Sequence, residues 1–146
     1  MKAISNSAEA TEEIGFKIGR KLKTGNIVRL YGDLGAGKTT MVKGIARALG
    51  IDRKDITSAS FTIITEYPGN PPFFHIDLYR TSGGVDLDST GIWDCIGAQS
   101  ISVIEWADHA EGELPEDSLK VTISDLGNDV RDITIEGKNE KDWDHL

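Results

Sequence analysis

Apolar residues recur along the chain in helical and strand-like rhythms. Ile14, Phe16, Ile18 and Leu22, preceded by Ser7, Thr11 and Glu12, predict a helix over about 8–23 that Thr24-Gly25-Asn26 brings to an end. Ile27 to Tyr31 reads as a strand, and Met41 to Leu49 reads as a helix stopped by Gly50. Asp52 to Ala59 is polar and loop-like. Ser60 to Tyr67 and Phe73 to Tyr79 are rich in β-branched and aromatic residues, and Pro68-Gly69-Asn70-Pro71-Pro72 between them turns the pair into an antiparallel hairpin. Val85 to Ile96 predicts one or two short helices broken at Gly91. Ile101-Ser102-Val103-Ile104 has the continuous apolar character of a strand buried on both faces, and it ends on Glu105. Leu119 to Ile123 and Val130 to Ile135 alternate with a period of two, so they read as half-exposed strands linked hairpin-fashion through Ser124 to Asp129.

The join between the first strand and the helix after it carries chemistry. Gly32-Asp33-Leu34-Gly35-Ala36-Gly37-Lys38-Thr39 matches G-x-x-x-x-G-K-[ST], with Thr40 behind it. In that pattern backbone N–H groups surround nucleotide phosphates, the lysine neutralises charge and the last hydroxyl holds Mg²⁺. Placed between strand and helix, it sets the phosphates at a helix N-terminus, where free amides and the dipole favour anions. The order of elements then predicts an α/β fold. We expect a single P-loop NTPase-like domain over residues 1–137, with a mixed, mostly parallel central sheet flanked by helices and carrying antiparallel hairpins. The charged segment 138–146 is expected to fray.

Composition narrows the function. Sixteen Lys and Arg stand against 24 Asp and Glu, a formal charge of −8, and the basic residues are scattered. Such a chain does not grip nucleic acid alone, because phosphate-backbone affinity needs clustered positive charge. The single cysteine, Cys95, forms no internal disulfide, and no Cys/His spacing suits zinc. There is no signal-peptide layout and no apolar run long enough to span a bilayer, so a cytoplasmic, membrane-free protein is expected.

A phosphate loop needs an acid from a neighbouring strand end to support Mg²⁺ and position water. Asp77 and Glu105 both qualify. His75 shares a strand face with Asp77 and reads as a packed, hydrogen-bonded residue. Arg80 suits a phosphate contact or a surface ion pair equally, and Trp106 suits the core, a base or a partner.

These pieces together resemble a known family. The phosphate loop, then Ser58-Ala59-Ser60-Phe61-Thr62, then His75-Ile76-Asp77-Leu78-Tyr79-Arg80, then Glu105-Trp106-Ala107 resemble the TsaE family in order and spacing, from Thr11-Glu12 to about Arg131. The resemblance implies a bacterial ATPase using ATP and Mg²⁺, joined to TsaD and TsaB, in threonylcarbamoyladenosine modification of the tRNA adenosine beside the anticodon. The tRNA would be met only through the complex. By the same resemblance Gly35, Ala36, Gly37, Lys38, Thr39 and Thr40 bind phosphates, Thr39 and Glu105 look like Mg²⁺ ligands, and Asp77, catalytic together with Lys38 and Glu105, acts on the water or in the metal's second shell. Thr11 and Arg131 lie near the nucleotide. Two departures concern the switch-like loop: Ala59 replaces the family's proline, and the acidic pair after Tyr-Arg is partly kept as Asp86 and Asp88.

Other P-loop activities fit less well. A small-molecule or nucleoside kinase would want an arginine-rich lid, which the sequence lacks. A non-hydrolytic ATP reporter has no need of two strand-end acids. A GTPase would carry Asn-Lys-x-Asp, and Asn139-Glu140-Lys141-Asp142 has the wrong order.

Overall fold

The computed structural model describes residues 1–33, 35–57, 64–79, 87–97, 99–137 and 143. Its elements are β1 (Lys2–Ser5), α1 (Ala8–Lys21), β2 (Ile27–Tyr31), α2 (Lys38–Ala48), β3 (Ile64–Tyr67), β4 (Phe73–Asp77), α3 (Ile92–Cys95), β5 (Ile101–Glu105), β6 (Leu119–Gly127) and β7 (Val130–Glu136). Short 3-10 turns occupy Arg53–Asp55, Leu87–Thr90 and Ala107–Ala110.

All seven strands form one sheet in the order β1-β7-β6-β2-β5-β4-β3. The four strands in the middle, β6, β2, β5 and β4, run parallel, and the antiparallel strands β3, β7 and β1 complete the edges. The expected α/β architecture is therefore present, with parallel strand ends gathered where α/β folds place ligands.

Two apolar layers hold the sheet. On one face Val28, Leu30, Val103, Val121 and Ile133 pack against Ile18 of α1 and Met41 and Ile45 of α2. On the other, Ile27, Ile76 and Ile104 lie under Leu78, Leu87, Ile92, Ala107 and Leu114. Each of the larger of these side chains, removed from water, contributes about 1.5–3 kcal/mol before conformational entropy is subtracted.

The two helices approach unusually closely because glycines face each other. A Cβ at Gly44 would meet the Glu12 carbonyl oxygen at 1.9 Å, and one at Gly15 would meet the Met41 carbonyl oxygen at 2.3 Å. Glu12 adds ion pairs to Arg47 at 3.1 Å and Arg53 at 2.7 Å. The crossing fixes α1 beside the start of α2, and so fixes Thr11 beside the phosphate loop.

Several boundaries differ from expectation. Helix α1 ends at Lys21, where Leu22 turns extended and Asn26 Oδ1 accepts from the Lys23 amide. Helix α2 begins at Lys38, before its first apolar residue, because the backbone coils directly out of the loop. Strand β6 runs to Gly127, and the link to β7 shrinks to Asn128 and Asp129, both with positive φ (54° and 63°), which suits a tight hairpin. Strand β1 was not expected. The break at Gly91, with φ 82°, lies between the Leu87–Thr90 turn and α3 as the sequence indicated. The first half of the expected 60–67 strand, Arg80 and Asp86 fall outside the described residues. Of the 138–146 tail only Trp143 is described, and its indole packs beside Gly137 and the core. No helix among the described residues is long and apolar enough to cross a membrane.

Candidate active site

Three parallel strands deliver the site. Strand β2 runs into the glycine loop, β5 ends on Glu105, and β4 ends on Asp77, directly across from Glu105 in register. Asp77 and Glu105 therefore share the sheet face covered by α2. The loop turns at Gly35 (φ 80°) and Gly37 (φ 109°), and Gly37 caps α2 with no side-chain hydrogen bond. The first-turn amides of α2 are thus left for another acceptor. At Gly37 the backbone takes a left-handed conformation between Thr11 and Arg131, whose side-chain atoms would lie 3.7 and 3.9 Å from a Cβ there.

Lys38 is 5 % exposed. Its ammonium donates to the Gly32 carbonyl and, at 2.9 Å, to the Asp33 carbonyl, and it sits 4.0 Å from the centre of the Trp106 ring. Burial pushes this ammonium below the ordinary lysine value, while Glu105, Asp77, Asp108 and Asp33 pull it back up. A desolvated cation at an uncapped helix start gains from an arriving anion.

Next along α2, the Thr39 hydroxyl donates to Glu105 Oε1 at 3.2 Å, and the other carboxylate oxygen meets His75 Nε2 at 2.5 Å. Glu105 and His75 are both buried, at 3 % and 2 % exposure. Asp77 Oδ1 accepts from the Tyr79 amide at 2.9 Å. On the opposite flank Arg131 donates to the Ala36 carbonyl at 2.8 Å and pairs with Asp125 at 2.8 Å. Buried Thr11 shares a 2.5 Å hydrogen bond with Ser5. A cleft of about 100 Å³ beside the loop is lined by Ser7, Thr11, Gly35, Gly37, Thr40, Asp129 and Arg131.

The comparisons with known proteins bear on this arrangement. The family model described as "Threonylcarbamoyl adenosine biosynthesis protein TsaE" matches residues 5–133. The chain belongs to the TsaE family. It is 38 % identical over 135 residues to the tRNA threonylcarbamoyladenosine biosynthesis protein TsaE of Treponema pallidum, covering 92 % of this chain and 99 % of that one. The Bacillus subtilis TsaE is 39 % identical over 128 residues, covering 87 % of this chain and 79 % of that one. A crystal structure of YdiB from Bacillus subtilis superposes with a TM-score of 0.76 at 35 % identity, covering 98 % of this chain and 88 % of that one.

The structure brings the described candidate site residues together around the loop of this TsaE-family chain. Gly35, Ala36, Gly37, Lys38, Thr39 and Thr40 form the loop and the first turn of α2, Asp77 and Glu105 face them, and Thr11 and Arg131 flank them. Arg80 and Ser58 to Thr62 lie outside the described residues. The donor set also fits a hard divalent cation. Among the described residues no group of three His, Cys, Asp or Glu forms a metal cage. What the site offers is the Thr39 hydroxyl at the start of α2 and the Glu105 carboxylate at the end of β5, the sparse protein share typical of Mg²⁺ held mainly by phosphates and water.

Two contributors were missed, and a third, Trp106, packs against the core as the sequence allowed and also reaches the site. Trp106 bridges core and site, its backbone in the left-handed region (φ 56°) and its ring over Lys38. Asp129 reaches the cleft from a hairpin turn that the sequence placed only loosely. Ser7 both caps α1 through the Ala10 amide and lines the cleft; its capping pattern was the available signal.

Asp77 yields a prediction. Burial, with Glu105 adding to it, raises the Asp77 carboxyl above its ordinary value, against lowering by the Tyr79 amide, His75 and Lys38. A raised native value means the folded state holds the proton more tightly than the unfolded chain does. The associated stability is complete below the ordinary carboxylate range and is lost as pH rises through the raised value. Asp77→Asn is expected to raise the neutral-pH melting temperature of the nucleotide-free protein, with the gain vanishing in acid, as thermal scans across pH would record.

Proposed function

We propose that this chain is a Mg²⁺-dependent ATPase of threonylcarbamoyladenosine biosynthesis that works with TsaD and TsaB and meets tRNA only through them. The observation that carries the reading is the buried Lys38 ammonium at the uncapped start of α2, faced by two strand-end carboxyl groups. Membership of the TsaE family supports the pathway, and the absence of a basic surface bias supports indirect contact with RNA.

In this reading the loop amides and Lys38 bind the β- and γ-phosphate oxygens of ATP. Thr39 and Glu105 hold Mg²⁺, which when bound neutralises charge on those oxygens. Asp77 orients the attacking water, and its raised proton affinity suits it to receive the proton released. Thr11 and Arg131 wall the nucleotide on the far side. Hydrolysis by the chain alone is slow, because partner contact completes the placement of water.

Purified chain incubated with ATP is expected to release phosphate slowly, faster with TsaD and TsaB, and to retain both partners in pull-downs with a strength that differs between ATP and ADP. Absence of phosphate release under all these conditions would remove the ATPase reading. ATP-dependent phosphorylation of a nucleoside would replace it with the kinase reading.

A further inference from the structure

We propose that His75 is the positioning residue that sets the Glu105 carboxylate for the divalent cation. The inference deepens the reading above and rests on Thr39 and Glu105 as the cation's protein ligands.

His75 occupies a place where an apolar side chain would ordinarily serve. It lies on the β4 face that carries Phe73 into the core, its register partner on β5 is Val103, and both neighbours are 2 % exposed or less. An imidazole there loses hydration and needs a partner. The partner is diagonal: the ring reaches two positions along β5, past Val103, to Glu105. Diagonal neighbours across a sheet lie within reach only of long or aromatic side chains, so a ring at this position is matched to the task.

The hydrogen bond divides the work of the carboxylate. A glutamate's terminal torsion is soft and nearly two-fold, so an unpinned Glu105 would present either oxygen at many angles. With Nε2–H donating to Oε2 at 2.5 Å, the plane is fixed, and Oε1 is the oxygen turned toward Thr39 at 3.2 Å. Hydrogen bonds to a ligating carboxylate do for it what carboxylates do for ligating histidines: they orient the donor atom before the metal arrives. Removing one partner of a buried pair costs stability whatever its function, so the readout that separates positioning from packing is the metal-linked affinity and not the melting temperature.

The test compares ATP affinity by calorimetry with Mg²⁺ and with chelator, taking the ratio as the metal-linked gain, and follows Mn²⁺ binding to the ATP-loaded protein by electron paramagnetic resonance. His75→Leu is expected to cut the metal-linked gain by about 10–100-fold while leaving metal-free ATP affinity unchanged. His75→Gln, whose amide can donate to the same oxygen, recovers most of the gain. In a Glu105→Gln background, His75→Leu adds no further loss, as expected for residues acting through one another. That double variant also removes the unpartnered buried charge, so the result does not hinge on the folding of the leucine variant.

An unchanged gain in His75→Leu with a loss in Glu105→Gln would overturn the proposal and leave the metal reading standing. Additive losses in the double variant, or equal losses with glutamine and leucine, would also overturn it. A full gain in Glu105→Gln would remove the metal reading itself, and the proposal with it.

Discussion

Lys38→Ala is expected to lower ATP turnover by on the order of 10²–10³-fold and to weaken ATP binding, with the fold retained. The ammonium is a buried charge within the loop itself, bonded to the Gly32 and Asp33 carbonyls and held against Trp106. In the proposed ATPase reaction the loop amides would supply neutral donors and Lys38 the positive charge that offsets the growing negative charge of bond breakage. Its removal leaves α2 intact, because the helix is held by Met41, Val42, Ile45 and Ala46, all 0 % exposed. The buried ammonium already carries a desolvation cost, so the nucleotide-free variant should melt at or slightly above the parent temperature. Lys38→Arg should fail as well, since a planar fork does not fit where a point charge sits between two carbonyls and a ring. Phosphate release and calorimetry check the first claim, and thermal melting checks the second.

Gly44→Ala is expected to destabilise the protein by about 3 kcal/mol, at the upper end of ordinary overpacking costs. The added methyl would stand 1.9 Å from the Glu12 carbonyl oxygen and 2.7 Å from the Phe16 amide nitrogen, both backbone atoms that no rotamer change can move aside. Relief requires α1 to lift from α2, thinning contacts of Ile18 with Met41 and Ile45. Alanine's better helix propensity, worth about 1 kcal/mol, is too small to compensate. For a chain of this size the loss corresponds to a fall in Tm of roughly 6–12 °C. Gly97→Ala is the control: a Cβ there meets nothing within 4 Å, and the change should stay within about 0.5 kcal/mol. Because α1 carries Thr11, the Gly44 variant should also lose ATP affinity, whereas the control should not.

The two variants mark the limits of what the sequence makes legible. The phosphate loop is readable because its glycines, lysine and threonine are fixed by the chemistry of binding phosphate within eight consecutive positions. Asp77 and Glu105 are readable because each closes a short apolar strand. Pairings across the sheet are different. That His75 meets Glu105 rather than Asp77 depends on the register of β4 against β5, which no local pattern records. The closeness of α1 and α2 depends on glycines that each look, alone, like weak helix residues. Strand β1 is illegible for a further reason: it has four residues, its large apolar side chain Ile4 is 57 % exposed, and its order comes from pairing with β7 near the far end of the chain. Trp106 packs against the core as the sequence allowed, and what no local pattern records is that the same ring also meets Lys38.

That pairing of β1 with β7 has a consequence for biosynthesis. Met1 bonds Ile135 across 134 positions, and Arg131 reaches Ala36 across 95. On a translating ribosome the glycine turn and its lysine therefore emerge long before the flank that closes over them. A nascent fragment ending ahead of the β6–β7 hairpin carries the glycine motif without Asp129 and Arg131 beside it, so that flank of the loop stays open until the hairpin has been made.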